Sequence, residues 1–368
     1  VKVCFQKGIL WCRWIPVIAL ASLVGCGPVA LPERYQAREV PVTNDGELAY
    51  QQVEGMNERI AGVMKEIFGG PGEPKMPADA PASLKVSAKS LSESASLYRR
   101  HCVHCHGLSG AGNGPTAPFL FPKPRDYRLG LYKFTSTTAD AKPTREDLLN
   151  TLRIGVVGTS MPAFSLLDED ELHALVDYVI HLSVRGEVEY VVMEVVADED
   201  MDESELLEIA VDEASSEMAR WENAGDLVLM PETPEPEFTE ASVKRGHELF
   251  VSADLQCAAC HGYTGRGDGP SAEVNPQTGQ PLLDSWSERI APANLTLGLY
   301  RGGRRPVDLY RRIHQGIKGT PMPVLRSAFK NNPEDIWHVV HFVQAIPYMD
   351  LDPIVVETTP AASPAEGD

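Results

Sequence analysis

The chain is short of basic residues, of cysteine and of long apolar runs. Its 33 Lys and Arg stand against 52 Asp and Glu, a net charge of −19 over 368 residues. That balance argues against any nucleic-acid role that depends on neutralising phosphates. Seven cysteines are too few for a disulfide scaffold in a chain this long, so each needs explaining by position. No stretch reaches the 18 apolar residues of a membrane-spanning helix, so the expectation is a tethered protein rather than an embedded one. Gly and Pro, 30 and 29 residues, fall well below collagen-like or low-complexity levels but predict long, punctuated loops. What is present, 43% hydrophobic and 23% charged residues, excludes wholesale disorder and suits two domains of ordinary size plus linkers.

Three cysteines fall near the N-terminus. Lys2, Lys7 and Arg13 precede an apolar run from Trp14 to Val24, with small residues after it. This is the layout of a secretory signal over residues 1–25, and the run is too short to span a bilayer. Leu23-Val24-Gly25-Cys26 resembles a bacterial lipobox. The resemblance implies cleavage before Cys26, diacylglycerol on its thiol, and loss of Cys4 and Cys12 with the signal. The alternative is that Cys26 is an ordinary small residue behind a cut made elsewhere.

The other four cysteines form two pairs. Cys102-Val103-His104-Cys105-His106 and Cys257-Ala258-Ala259-Cys260-His261 are both Cys-x-x-Cys-His, the c-type haem attachment motif. Two thiols one helical turn apart reach the two vinyl groups on one edge of a porphyrin, and the next residue supplies the proximal imidazole. The competing reading is a zinc site built from two Cys-x-x-Cys pairs. The His behind both pairs, their wide separation and the repetition around them speak against it. A thioredoxin-like dithiol would need a βαβ context that is absent.

Around these motifs the chain repeats. Gly110-Ala111-Gly112-Asn113-Gly114-Pro115 matches Gly265-Arg266-Gly267-Asp268-Gly269-Pro270 at an offset of 155, and Leu129-Gly130-Leu131-Tyr132 matches Leu297-Gly298-Leu299-Tyr300 at 168. The second copy therefore gains 13 residues in its middle loop. Gly158-Thr159-Ser160-Met161-Pro162 matches Gly319-Thr320-Pro321-Met322-Pro323. A helical pattern closes each copy: Leu172, Leu175, Val176, Val179 and Leu182, then Ile336, Val339, Val340, Val343 and Ile346.

These residues resemble class I cytochromes c, over roughly 91–184 and 240–349. The resemblance implies an all-α fold of two tandem haem domains. In each, an N-terminal helix crosses a C-terminal helix at a small residue and an aromatic. Gly246 and Phe250 stand in those places before Cys257, and Ser94 and Tyr98 before Cys102, with Ser a departure from the usual Gly. It also implies two covalently bound haem c groups, on Cys102, Cys105 and His106 and on Cys257, Cys260 and His261. Met161 and Met322 would be the sixth iron ligands. His314, two residues before Gly316, is the rival ligand. Arg125, Tyr127 and Tyr132 in the first unit and Trp286 and Tyr300 in the second are candidates to hydrogen-bond haem propionates or wall the pockets, the alternative being ordinary packing.

The resulting plan is a signal over 1–25, a lipid-anchored tether over 26–90, a cytochrome c domain over 91–186, an acidic linker over 187–239, a second domain over 240–349 and a disordered tail over 350–368. The tether is expected to hold a helix from Glu47 to Phe68 and a Pro/Gly-rich spacer after it. From Glu187 to Glu240 there are 19 acidic residues and a single basic one, Arg220. A helical stripe of Leu207, Val211, Ala214, Met218 and Trp221 runs through this segment. It reads either as a solvated spacer or as an acidic surface for a basic redox partner. Iron held by His and Met has no position for a substrate. The expected role is therefore electron transfer, not catalysis, on the periplasmic side of a bacterial membrane. The chain would pass electrons from a quinol-oxidising complex or dehydrogenase towards a terminal oxidase. Its expected partners are the membrane and other redox proteins or a respiratory complex, with no nucleic acid and no small-molecule substrate. A dihaem peroxidase is the alternative.

Overall fold

The computed structural model describes residues 31–36, 40–44, 47–51, 56–198, 201–276 and 278–351. The signal segment, Cys26 and the tail beyond Leu351 lie outside the described residues. A short antiparallel hairpin, β1 (Val40–Asn44) and β2 (Glu47–Gln51), pairs Thr43 with Leu48. Helices follow: α1 (Met56–Phe68), α2 (Leu91–His101), α3 (Val103–His106), α4 (Arg145–Ile154), α5 (Glu169–Asp198) and α6 (Glu203–Glu222). The second half adds α7 (Glu240–Phe250), α8 (Cys257–His261), α9 (Pro306–Gln315) and α10 (Asp335–Ala345). Apart from the hairpin and isolated bridges the described fold is all-α, as expected. The helix expected from Glu47 begins only at Met56. Glu47–Gln51 instead form β2, paired with Val40–Asn44.

The start of each main helix is fixed locally. Ser90 caps α2 and Thr144 caps α4, each with a reciprocal bond from the acidic residue three positions on. Asp202 and Glu205 do the same for α6. Such caps satisfy backbone donors that the helix itself cannot.

The two units are built around equivalent crossings. In the second, α7 meets α10 where Gly246 lies so close that an added Cβ would stand 1.9 Å from the His338 carbonyl oxygen. Phe250 and Phe342 meet edge-on beside it at 5.1 Å. In the first, α2 meets α5 with Ser94 fully buried and its hydroxyl donated to the Ser90 carbonyl at 3.1 Å. Tyr98 and Tyr178 take the aromatic places, also at 5.1 Å. The departure from glycine is thus absorbed by turning the hydroxyl back onto its own helix.

α5 runs through the boundary expected at 186. Its 30 residues make a rod about 45 Å long. It continues because Val188, Val192, Met193 and Val196 are buried, and because Arg185 and Glu189 pair one turn apart where both are almost fully buried. Gly186 interrupts this face for a reason: a Cβ there would stand 2.4 Å from Arg128 Cα. The acidic segment is folded rather than solvated. α6 lies along α5 and α1, burying Leu206, Ala210, Ala214, Met218 and Trp221. The buried stripe is displaced from the expected one, leaving Val211 43% exposed. Buried Lys142 pairs with both Glu187 and Glu217 beneath this layer. The run expected as a spacer is packed too: Pro71, Pro74 and Pro77 are buried, and Arg99 donates to the Pro71 carbonyl at 2.9 Å.

The units meet through backbone carbonyls of residues 133–141. From α9, Arg312 donates to the carbonyls of Lys133 and Thr135, and Gln315 also reaches Thr135. Lys318 reaches Thr137 and the Ala141 carbonyl. Leu229 and Ser136 add a backbone bond of 2.8 Å.

Candidate haem sites

At the first site, α2 delivers Cys102 at its C-terminus, and the single turn of α3 carries Cys105 and His106 beyond it. Tyr98 locks this corner by donating its hydroxyl to the Gly107 carbonyl at 3.0 Å. The His106 ring is held in two ways. Its Nδ1 faces the Arg125 carbonyl at 3.1 Å, and Tyr127 stacks on it at 4.7 Å. With Nδ1 engaged, Nε2 is the nitrogen left for a metal. Burial holds His106 down, to about 4, despite the hydrogen bond to Arg125, so the ring is neutral and a competent ligand at physiological pH. Burial likewise pushes the Cys102 thiol up to about 12. None of the four described cysteines is in a disulfide.

These groups open onto a cavity of about 930 Å³. Leu148, Leu152, Phe164, Val176 and Val179 give it apolar walls, and Met161 lies on the same lining as His106. Met161 is carried by a loop folded on itself. Val156 donates to the Met161 carbonyl, Thr159 donates to the Val156 carbonyl, and the Met161 amide donates to Thr159 Oγ1. Gly155 must be glycine here: it has φ +70°, and a Cβ would stand 2.6 Å from the Met161 carbonyl oxygen.

The second site has the same parts at the same stations. α8 carries Cys257, Cys260 and His261, and His261 Nδ1 faces the Ala293 carbonyl at 3.2 Å. Burial lowers its pKa as well. The Met322 loop repeats the three hydrogen bonds through Ile317 and Thr320, and Gly316 stands in for Gly155.

The rival ligand is engaged elsewhere. His314 stacks on Tyr310 at 5.7 Å and its Nε2 lies 3.6 Å from Glu232. His338 and His341 share the hydroxyl of Ser242, at 2.7 and 2.6 Å. The two Cys-x-x-Cys pairs do not converge: among the described residues no group of three or more His, Cys, Asp or Glu is placed to hold a metal ion. That removes the geometric basis of a zinc reading.

The accessory residues divide. Tyr132 is committed to Ser183 Oγ at 2.6 Å and Tyr300 to the Val343 carbonyl at 2.6 Å, so both brace their terminal helices. Trp286, expected at the second site, lies on the lining of the first. Arg125 lines the same cavity, and among the described residues no carboxylate pairs with its guanidinium, which stacks on Trp286 at 3.5 Å. Burial lowers its pKa to about 10, which still leaves it charged. A half-buried cation without a carboxylate salt bridge, beside two thiols and a free imidazole nitrogen, fits a porphyrin bearing propionates. Asp284, Lys133 and Arg301, which the sequence did not single out, share this lining.

Residues 89–179 match the family model described as cytochrome c oxidase, cbb3-type, subunit III, and residues 243–347 match that of cytochrome c. The chain carries two cytochrome c-type domains. Each binds one covalently attached haem c. Among solved structures, this cytochrome is similar to a chain of the Kuenenia stuttgartiensis reducing HAO-like protein complex Kustc0457/Kustc0458. The two are 26% identical with a TM-score of 0.53, and the match covers 73% of this chain and 99% of that one. No curated protein matches.

Proposed function

We propose that the chain is a dihaem electron carrier in which His106 and Met161 ligate one iron and His261 and Met322 the other. The observation that carries this reading is the pair of methionine loops with the same hydrogen bonds, each pinned by a threonine hydroxyl two residues before the sulfur-bearing residue. Haem c supplies one-electron chemistry at iron, and a thioether ligand favours the ferrous state. The protein's own residues do the rest. The carbonyls of Arg125 and Ala293 orient the imidazoles, the glycine-anchored loops hold the methionines, and apolar residues wall the first cavity. Held by these four ligands, the haems would pass electrons and would offer no open position to a reactant.

The wider setting is part of the proposal. Cys26 carries a lipid that holds the chain on the periplasmic side of a bacterial membrane. There it passes electrons between a quinol-oxidising complex or dehydrogenase and a terminal oxidase, or serves as the electron-transfer subunit of a larger haem-protein complex. The likeness to a chain of such a complex supports the last form.

Optical and electron paramagnetic resonance spectra of the oxidised holoprotein test the ligation. Two low-spin sites with a sulfur-to-iron band are expected. Met161→Ala and Met322→Ala should each leave both haems attached and remove that band from one site. Unchanged spectra in both variants would refute the ligand set. A high-spin site at rest with rapid peroxide turnover would instead establish the peroxidase alternative.

A further inference from the structure

The residues by which the second unit's middle loop exceeds the first fold into an arm that lies against the first unit. Leu282 pairs through its amide with Glu273, and Ile290 with Leu282. The tip turns at Ser287, which has φ +59°. Asp284 of the tip forms a largely buried ion pair with Lys133 at 2.7 Å, and Glu288 pairs with Lys123. Trp286 sits at the centre of this contact.

Its indole is held on three sides. The Arg125 guanidinium lies over the ring at 3.5 Å, a geometry favoured by the ring quadrupole. Nε1 donates to the Asp126 carbonyl at 3.3 Å. The six-membered ring presses on Gly319, where an added Cβ would stand 2.7 Å from Cζ3. Ser285 donates its amide to the Gly319 carbonyl at 3.0 Å, tying the arm to the same point.

The neighbours of this indole matter. On one side, Arg125 accepts from His106 through its own carbonyl. On the other, Gly319 opens the Gly-Thr-Pro-Met loop that presents Met322. One aromatic ring therefore stands between the residue that holds the first imidazole and the segment that holds the second thioether. The first unit has no counterpart of the arm, so this contact exists only between units.

We propose that Trp286 is the bridge through which an electron passes from one haem to the other; this rests on the electron-carrier reading above. In the step, iron at one site goes from ferrous to ferric while iron at the other goes from ferric to ferrous. No bond is made or broken, no proton moves, and the indole keeps its own oxidation state. A rigid, polarisable ring in contact on three sides leaves no gap between Arg125 and Gly319, whereas a smaller residue would open one.

The test uses the full-length holoprotein, oxidised, with a sub-stoichiometric pulse of a photogenerated reductant. Redistribution of the electron between the haems appears as a phase independent of protein concentration. Trp286→Leu, compared with the wild type at matched haem content, should slow that phase at least severalfold. Trp286→Phe keeps a ring against Arg125 and Gly319 and should restore most of the rate. If the leucine variant loses haem, Trp286→Met, of similar volume but unbranched and also without a ring, takes its place. An unchanged rate in the leucine or methionine variant overturns the bridge, as does a wild type with no redistribution phase. Both haems would still be reduced in either event, so the carrier reading would survive its failure.

Discussion

Gly246 has no room for one additional carbon, and its counterpart Ser94 has room for a hydroxymethyl group. Gly246→Ala forces α7 away from the His338 carbonyl and should cost about 1–3 kcal/mol by overpacking. Ser94→Ala should cost less, because only a hydroxyl bonded within its own helix is lost. Denaturant midpoints of the two variants would separate them. A second residue sets the acid limit. His181 is fully buried against Tyr178 and Phe68, with no hydrogen-bond partner for either ring nitrogen among the described residues. Burial, and secondarily Arg185, hold it down to about 3 from an ordinary value of 6.5. Between those values the unfolded chain binds a proton that the native state refuses, so stability falls as pH drops from about 6.5 towards 3. His181→Phe should flatten the loss over that window, read as unfolding midpoints at pH 7 and pH 4. An equal loss in the variant would place the acid sensitivity elsewhere.

At the scale of elements, what was legible in the sequence is what is local. The haem motifs and the methionine loops are fixed by hydrogen bonds within a helix turn or a tight loop and recur in the sequence, whereas the aromatic crossings join distant residues such as Phe250 and Phe342 and were expected only from the family resemblance. The fate of the acidic segment was not legible. Its charge suggested a solvated spacer, yet a charged face and a buried face coexist on α6, and burial of Trp221 at 5% exposure decides its place. Lys142 supplies the countercharge from outside the segment, 45 residues before Glu187, which no pattern within α6 could indicate. The stripe itself is a test. Trp221→Ala should destabilise the protein by about 3–5 kcal/mol, as for large aromatics in cores. Val211→Lys, on the exposed side, should stay within about 0.5 kcal/mol. Similar losses from both would mean that α6 packs on its other face. The arm was equally hidden: Trp286 bonds to a carbonyl 160 residues away, and nothing in its sequence neighbourhood indicated a place on the lining of the first cavity.

For the molecule as a whole, the units are joined by more than a tether. Arg312, Gln315 and Lys318 all donate to the first unit, and the arm adds Asp284 and Trp286. Burial holds Lys318 down to about 8 and Arg312 to about 10, so the interface depends on these cations being matched by carbonyl oxygens. The continuous rod of α5 has a practical corollary for anyone who dissects this protein. A fragment stopped at residue 186, the expected end of the first domain, would strip the cover from Val184 and the residues beneath α6 and should be recovered as aggregate. One carried on to residue 230 retains α6 and should be monomeric by size-exclusion chromatography. The place to put the scissors is set by where the hydrophobic cover ends, some forty residues after the last residue that any haem motif would suggest.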